Sequence, residues 1–266
     1  MKKKLEFFIG PCVLESEDLA MTIAQTLIKD LAPFREQINL SFKGSFDKAN
    51  RSSFKSFRGP GLEVGLAMLE KVKKVTGLSV ITDFHLPEQA DAVASVVDTL
   101  QVPAFLCRQT DMIYFGAKAC DKYHRQLKVK KGQFLSPEES KNIVDKACEV
   151  MDLKNVLLTE RGSSFGYNNL IVDMASFQIM KSYGVRVIYD ATHSVQRPGA
   201  LGNGTGGKRE QIKVLARAAI AAGADGIFME CHPNPDKALS DASTALPLGQ
   251  IQDMVSDLLK IYQVVL

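Results

Sequence analysis

Eight short apolar runs, each followed by a stretch with helical spacing, constrain this chain more than any other feature. The runs fall at 5–9, 38–43, 78–82, 99–106, 127–130, 155–159, 185–189 and 226–229. They are mostly continuous rather than alternating, as expected of strands covered on both faces in a parallel sheet. Parallel neighbours need a crossover, and the intervening stretches supply it. These are read as helices over 15–31, 61–75, from Pro87, over 111–122, from Ser136, and over 173–182, 208–222 and 246–264. Ser136-Pro137-Glu138-Glu139 is the clearest start, with an N-cap serine, a proline at the first helical position and an acidic first turn. The alternation predicts an α/β fold of the (β/α)8 TIM-barrel type rather than an open doubly wound sheet. No GxGxxG follows any run, which removes the main argument for a dinucleotide fold. At 266 residues the chain fits one barrel, for which ~250 is typical, so a single domain over 1–266 is expected.

Composition excludes several function classes. A net charge of +3 with no long basic tract gives no reason to expect nucleic acid as a partner. Five cysteines, odd in number and without a CxxC, point to a reducing compartment rather than a disulfide framework. The basic start is not a signal peptide, because Glu6, Gly10 and Pro11 interrupt the apolar run. No apolar stretch approaches the ~18 residues that mark a membrane span. A soluble, cytoplasmic protein with no membrane partner is the expectation.

In a barrel of this kind function is read at the C-terminal ends of the strands. Those ends carry Cys12, Lys43, Asp83 with His85, Arg108, Lys130, Arg161, Asp190 with His193, and Glu230 with His232. Any one lysine or arginine could be an ordinary solvated charge. A whole ring of them would be costly in a partly closed mouth without ligands to meet. The stretch 40–61, LSFKGSFDKANRSSFKSFRGPG, adds Lys48, Arg51, Lys55 and Arg58 among hydroxyls, an amide and four phenylalanines, opposed only by Asp47. Such a mixture of charge and directed donors suits phosphate and carboxylate oxygens. Lys43, Lys48, Arg51, Arg108, Lys130 and Arg161 exceed what one phosphate needs and fit two anionic ligands. Lys130 and Lys131 face opposite ways on a strand, and spacing alone does not choose between them. Cys12, His193, Glu230 and Asp241 would suit a divalent transition metal such as Zn²⁺ or Fe²⁺. Their scatter along the sequence leaves an inert buried Cys12 as the plainer alternative, and His85 and His232 compete with His193 by position.

The segments FKGSFDKANRSSFKSFRGPG, VPAFLCRQTD, VKKGQFLSP, LTERGSSFGYNNLIVDM, YDATHSVQRPG and GIFMECHPNPDKALSDASTALPL together resemble the 3-deoxy-D-manno-octulosonate 8-phosphate synthases, over nearly the whole chain. The related synthase that opens the shikimate pathway with erythrose 4-phosphate carries a KPRT-type motif where this chain has Lys48-Ala49-Asn50-Arg51-Ser52-Ser53. The resemblance implies condensation of phosphoenolpyruvate with D-arabinose 5-phosphate and water, with release of phosphate. It assigns Lys48, Lys130 and Arg161 to phosphoenolpyruvate, with Lys43, Ser45 and Gln133 nearby. Asn50, Arg51 and Ser52 fall to the sugar phosphate. Arg108 also belongs to the phosphate sites, lent across a subunit contact in a homotetramer. Lys55 and Arg58 are left as surface or interface charges. Gly10-Pro11-Cys12 matches the metal-dependent subclass, with Cys12, His193, Glu230 and Asp241 as ligands for Zn²⁺, Fe²⁺ or Mn²⁺ and no organic cofactor. Lys48, His193 and Asp241 are the implied catalytic set, Lys48 as proton donor to the new alkoxide. Departures at Arg197, Ala200, Thr205 and Cys231, and in the segment 112–128, bear on loop behaviour rather than on the reaction. A Schiff-base aldolase and a non-catalytic sugar-phosphate binder are the rival readings.

Overall fold

The computed structural model describes residues 3–51, 53–199 and 206–265. Eight parallel strands close on themselves: β1 (Leu5–Gly10), β2 (Ile38–Lys43), β3 (Ser79–Asp83), β4 (Thr99–Val102), β5 (Gln126–Lys130), β6 (Val156–Glu160), β7 (Arg186–Asp190) and β8 (Gly226–His232). Each pairs with its sequence neighbour, and β8 returns to β1 with Gly10 opposite Glu230. The helices α1 (Glu17–Leu31), α2 (Leu62–Thr76), α3 (Ala90–Val96), α4 (Thr110–Tyr123), α5 (Lys141–Cys148), α6 (Ser176–Lys181), α7 (Ile212–Ala221) and α8 (Ile251–Val265) supply the crossovers. This is the (β/α)8 barrel that the alternation predicts.

Local chemistry sets the boundaries. Ser16 caps α1, its Oγ accepting from the Leu19 N–H at 3.2 Å, and Glu17 and Asp18 fill the first turn. Ser136 and Glu139 form a reciprocal box, with Ser136 N–H donating to Glu139 Oε2 at 2.9 Å and Glu139 N–H to Ser136 Oγ at 3.2 Å. The chain passes through one 3-10 turn, Glu138–Ser140, before α5 begins. β4 is shorter than expected because Pro103 has no N–H to continue the ladder, and Ala104–Leu106 turns instead. β8 is longer than expected and carries Glu230, Cys231 and His232 within the strand. Leu246–Pro247 pairs beside it, so the last helix starts only at Ile251. Of the expected glycine-rich loop, Gly206–Gly207 pairs antiparallel with Gln196–Arg197, while 200–205 lie outside the described residues.

Alternation along each strand sorts side chains between the barrel interior and the helices. Phe8, Ile81, Leu157, Ile188 and Phe228 form an interior plug separate from the larger core beneath the helices. Lys128 and Lys130 point inward with them, both lying over the Phe228 ring. Lys131 turns outward and is fully buried, its Nζ 3.1 Å from Leu135 O and Ser163 Oγ and 3.5 Å from Glu160 Oε2. The choice that spacing left open between neighbouring lysines is thus made by the strand's parity. Breaking a buried pair costs about 3–5 kcal/mol because a bare charge remains. We expect Lys131→Met to lower the thermal midpoint by roughly 10 °C. An unchanged midpoint would mean that Glu160 does not depend on that ammonium.

Candidate active site

A cavity of about 780 Å³ opens at the C-terminal ends of the strands. Its wall takes Lys43 from β2, Asp83 from β3, Gln101 from β4, Lys130 from β5 and Glu230 from β8, with Arg161 and His193 just beyond β6 and β7. The loop after β2 contributes Ser45, Lys48, Asn50 and Arg51, and the segment after β8 contributes Ser240 and Asp241. Leu14 N–H to Ser45 O at 2.9 Å and a Val13–Ser45 bridge carry the β1–β2 pairing past the strands. That extension holds Cys12 against the loop from β2.

Lys43 ties this region together. Its Nζ donates to Glu230 Oε1 at 2.6 Å, to Cys12 O at 2.6 Å and to Pro11 O at 3.1 Å, using all three of its donors. Gly10 permits the approach: a Cβ there would meet Lys43 O at 2.0 Å. Cys12 Sγ stands 3.0 Å from Asp241 Oδ2 and 3.1 Å from Ser240 Oγ. Asp241 has a left-handed backbone, φ 49°, which a short polar side chain tolerates better than a branched one. One ligand atom each from Cys12, Glu230 and Asp241 lies within 4.8 Å of the others. His193 joins them, its Nε2 3.6 Å from an oxygen of each carboxylate. Glu230 Oε2 is buried without a hydrogen-bond partner.

The donor set fits a divalent cation, and its electrostatics explain why. Burial pushes the Cys12 thiol well above its ordinary value, and Asp241 and Glu230 push it further. Burial would also raise Glu230, but Lys43, His193 and Lys48 outweigh it and hold that carboxylate down. Two charged carboxylates stand beside the thiol, and Lys43 meets only one oxygen of Glu230, leaving Oε2 unpartnered toward the cluster. A bound cation would relieve this and take the thiol as thiolate. Asp190 prepares the imidazole, lying 2.9 Å from His193 Nδ1 and accepting from Lys130 Nζ at 2.6 Å. With Nδ1–H directed at Asp190, the Nε2 lone pair is left for the cluster.

The rest of the wall is arranged for anions. Arg161 is 5% exposed, donates through Nη2 to Gln196 Oε1 at 3.1 Å, and keeps Nη1 buried without a hydrogen-bond partner. Ser45 Oγ is likewise unpartnered. Burial alone would push the Lys48 ammonium down, yet Cys12 once ionised, with Glu230, Asp83 and Asp241, holds it well above the usual lysine value. Lys130 goes the other way, lowered by burial despite Asp190. Arg51 Nη1 donates to Ser240 Oγ at 2.9 Å, joining the loop after β2 to the Asp241 segment.

The fold therefore gathers Lys43, Ser45, Lys48, Asn50, Arg51, Lys130, Gln133 and Arg161 on one cavity. Ser52 lies outside the described residues. Arg108 does not reach the cavity: it starts toward α4, 61% exposed, 3.6 Å from Glu139. Arg58 pairs with Asp47 through Nε at 2.8 Å and is spent as a loop clamp. The four phenylalanines of 40–61 are not pocket walls; Phe42 and Phe46 are buried, and Phe54 and Phe57 are exposed. Among the competing histidines, His85 pairs with Asp83 at 3.1 Å, and His232 sits by Asn234 and Glu15. The sequence places Asp190 among the strand-end groups without giving it a role, and it does not single out Gln196. For Asp190 the available signal was its i,i+3 spacing to His193; Gln196, which bridges Arg161 to Asp241 Oδ1 at 3.1 Å, had none.

Residues 2–264 match the model of the DAHP synthetase I family. The chain belongs to that family. It is 49% identical over 249 residues, 94% of its length and 89% of the relative's, to a protein of Nitratidesulfovibrio vulgaris named 2-dehydro-3-deoxyphosphooctonate aldolase. Proteins of the same name in Acidithiobacillus ferrooxidans and an Azoarcus species are 51% identical over 261 residues and 50% over 266. These alignments cover 97% and 100% of this chain, and 90% and 93% of the relatives.

Asp190→Ala removes the acceptor that orients His193. We expect the fold to persist while the hold on zinc weakens roughly 10- to 100-fold, read as metal per chain after dialysis. Wild-type retention would show that Asp190 does not prepare the ligand.

Proposed function

We propose that the protein condenses phosphoenolpyruvate with D-arabinose 5-phosphate and water to give 3-deoxy-D-manno-octulosonate 8-phosphate and inorganic phosphate, a step toward Kdo and lipopolysaccharide. One observation carries the reading. A single cavity brings buried cations, one of them the incompletely partnered Arg161, against a cysteine, histidine and two-carboxylate cluster. The name borne by relatives at about half identity supports the choice of substrates.

Lys48, Lys130, Arg161, Ser45 and Gln133 hold phosphoenolpyruvate, the free Arg161 Nη1 meeting an anionic oxygen. Asn50 and Arg51, on the cavity wall, take the sugar phosphate together with Ser52. Lys43 acts through the site rather than on substrate, because its donors are already used on Glu230, Pro11 and Cys12. Most of the acceleration comes from holding the enol carbon against the aldehyde and from cations meeting developing charge. C3 of phosphoenolpyruvate bonds to the aldehyde carbon while water adds to C2. The resulting tetrahedral carbon expels phosphate with cleavage of its C–O bond. Lys48, held as an ammonium by the negative groups around it, gives its proton to the new alkoxide, a far stronger base than a lysine amine. Cys12, His193, Glu230 and Asp241 would hold a divalent ion, Zn²⁺, Fe²⁺ or Mn²⁺, which supplies polarisation of an oxygen or a lowered water pKa.

A homotetramer in the cytoplasm is part of the same proposal. The turn before α4 and α4 itself expose Phe105, Tyr114 and Phe115 beside Arg108, a surface suited to a subunit contact that delivers this arginine to a neighbour. Among the described residues no helix is long and apolar enough to cross a membrane.

Phosphate release from phosphoenolpyruvate should depend on arabinose 5-phosphate and not on erythrose 4-phosphate. Activity confined to erythrose 4-phosphate would favour the shikimate-type reaction, and no release with either sugar would favour a binder. Borohydride should trap no covalent adduct; a trapped lysine would mean a Schiff-base aldolase. Chelation should abolish turnover and a divalent ion restore it, while Cys12→Ala should lose both bound metal and most activity. Full activity in exhaustively demetallated protein would contradict the metal assignment.

A further inference from the structure

Lys128 is the anomaly of the barrel interior. It sits on β5 at the level of the apolar plug, with no exposed surface, its Nζ 4.6 Å from the Phe228 ring centroid and 5.4 Å from that of Phe8. Three lysines surround Phe228, the others being Lys130 at 3.9 Å and Lys43 at 5.6 Å. Each of those has a carboxylate at 2.6 Å: Asp190 for Lys130, Glu230 for Lys43. Lys128 has none. Its hydrogen-bond partner is the neutral Gln101 side chain, Nζ to Oε1 at 2.8 Å. Methionine or leucine would fill this place at no electrostatic cost, so a buried amine here is poorly explained by stability.

Gln101 gives the amine a route to the site. It lines the cavity, is 3% exposed, and among the described residues no partner takes its amide N–H₂ group. An amine that donates to Oε1 turns the Nε2 donors toward the cavity. An uncharged amine can also accept, and the amide orientation is then less fixed.

We propose that Lys128 is a positioning residue for anionic substrate: it takes up a proton when phosphoenolpyruvate fills the cavity, and as an ammonium it locks Gln101 with its amide donors facing the ligand. The proposal rests on the function proposed above. The charged groups that face Lys128 are Lys130 on its own strand, Lys43 from β2, Asp83 from β3 and Asp190 from β7. Gln101, Phe8 and Phe228 supply neutral contacts from β4, β1 and β8. Burial first, then Lys130 and Lys43, hold the free amine well below the ordinary lysine value against the pull of Asp190 and Asp83. With Asp190 committed to Lys130 and Asp83 to His85, the added negative charge must come from the ligand. Binding that raises the amine's proton affinity takes up a proton, and so weakens as pH rises.

The test is calorimetric titration of phosphoenolpyruvate into the metal-loaded enzyme at pH 8, in two buffers of different ionisation enthalpy. Wild type should take up a substantial fraction of one proton per site, and Lys128→Met should lose that uptake and bind about 10-fold more weakly. The same variant should melt at or above wild type, because an uncompensated amine has been replaced by an apolar chain of similar length. Lys128→Gln, neutral yet able to donate to Gln101, should recover affinity without recovering proton uptake. Undiminished uptake in Lys128→Met would overturn the proposal, as would a variant that melts lower and binds with the wild-type pH dependence. Turnover of wild type with both substrates establishes the proposed function independently, so failure of one reading is distinguishable from failure of the other.

Discussion

The ion pair between Lys43 and Glu230 is the interaction on which the rest of this molecule depends. It spans the seam where the barrel closes, reaching from β2 across β1 to β8, with both side chains about 1% exposed. A buried pair of this kind adds little net stability, because desolvation offsets most of the attraction. Its consequence is geometric. The same ammonium holds the Pro11 and Cys12 carbonyls, so one lysine fixes a cysteine from the start of the chain against a glutamate from its last quarter. Gly10 is required at the crossing, since no side chain fits under the Lys43 carbonyl.

From that seam the electrostatics of the mouth follow in two directions. Toward β7 and β8 the fold concentrates negative charge beside a thiol, with His193 oriented by Asp190. Toward β5, β6 and the loop after β2 it concentrates cations, one of them, Arg161, with a buried nitrogen left unpartnered. Either half alone would be costly to bury. Side by side they suit a cation on one side and phosphorylated anions on the other, with Lys48 held charged by the negative half while it faces the positive one. The plug layer below repeats the theme at smaller scale, where Lys128 lacks the carboxylate that its two lysine neighbours have.

The barrel was legible in the sequence because strand periodicity and caps such as Ser136 with Glu139 are local signals. Boundaries failed where a single residue or a distant partner decided them. Pro103 ended β4 early, and pairing with Leu246–Pro247 went with a longer β8 and a later α8. The cations at strand ends were legible too, since the fold sends those ends to one mouth. What sequence could not supply was how side chains are spent. Lys43 looked like a substrate ligand and is occupied by the protein itself, while Arg108 shared its pattern yet lies outside the cavity. Asp190, Gln196 and Lys128 carry much of the site's organisation through contacts made 27 to 60 positions away or by facing inward, which no motif of adjacent residues records.

The central claim is that barrel closure brings Cys12, His193, Glu230 and Asp241 around one ion at the edge of the anion pocket. Crystals of the zinc-loaded protein, measured on both sides of the zinc absorption edge, test it most directly. The account predicts one strong anomalous peak per chain within bonding distance of Cys12 Sγ, His193 Nε2 and the two carboxylates. A peak held by other residues, or a fully active protein with none, would contradict it.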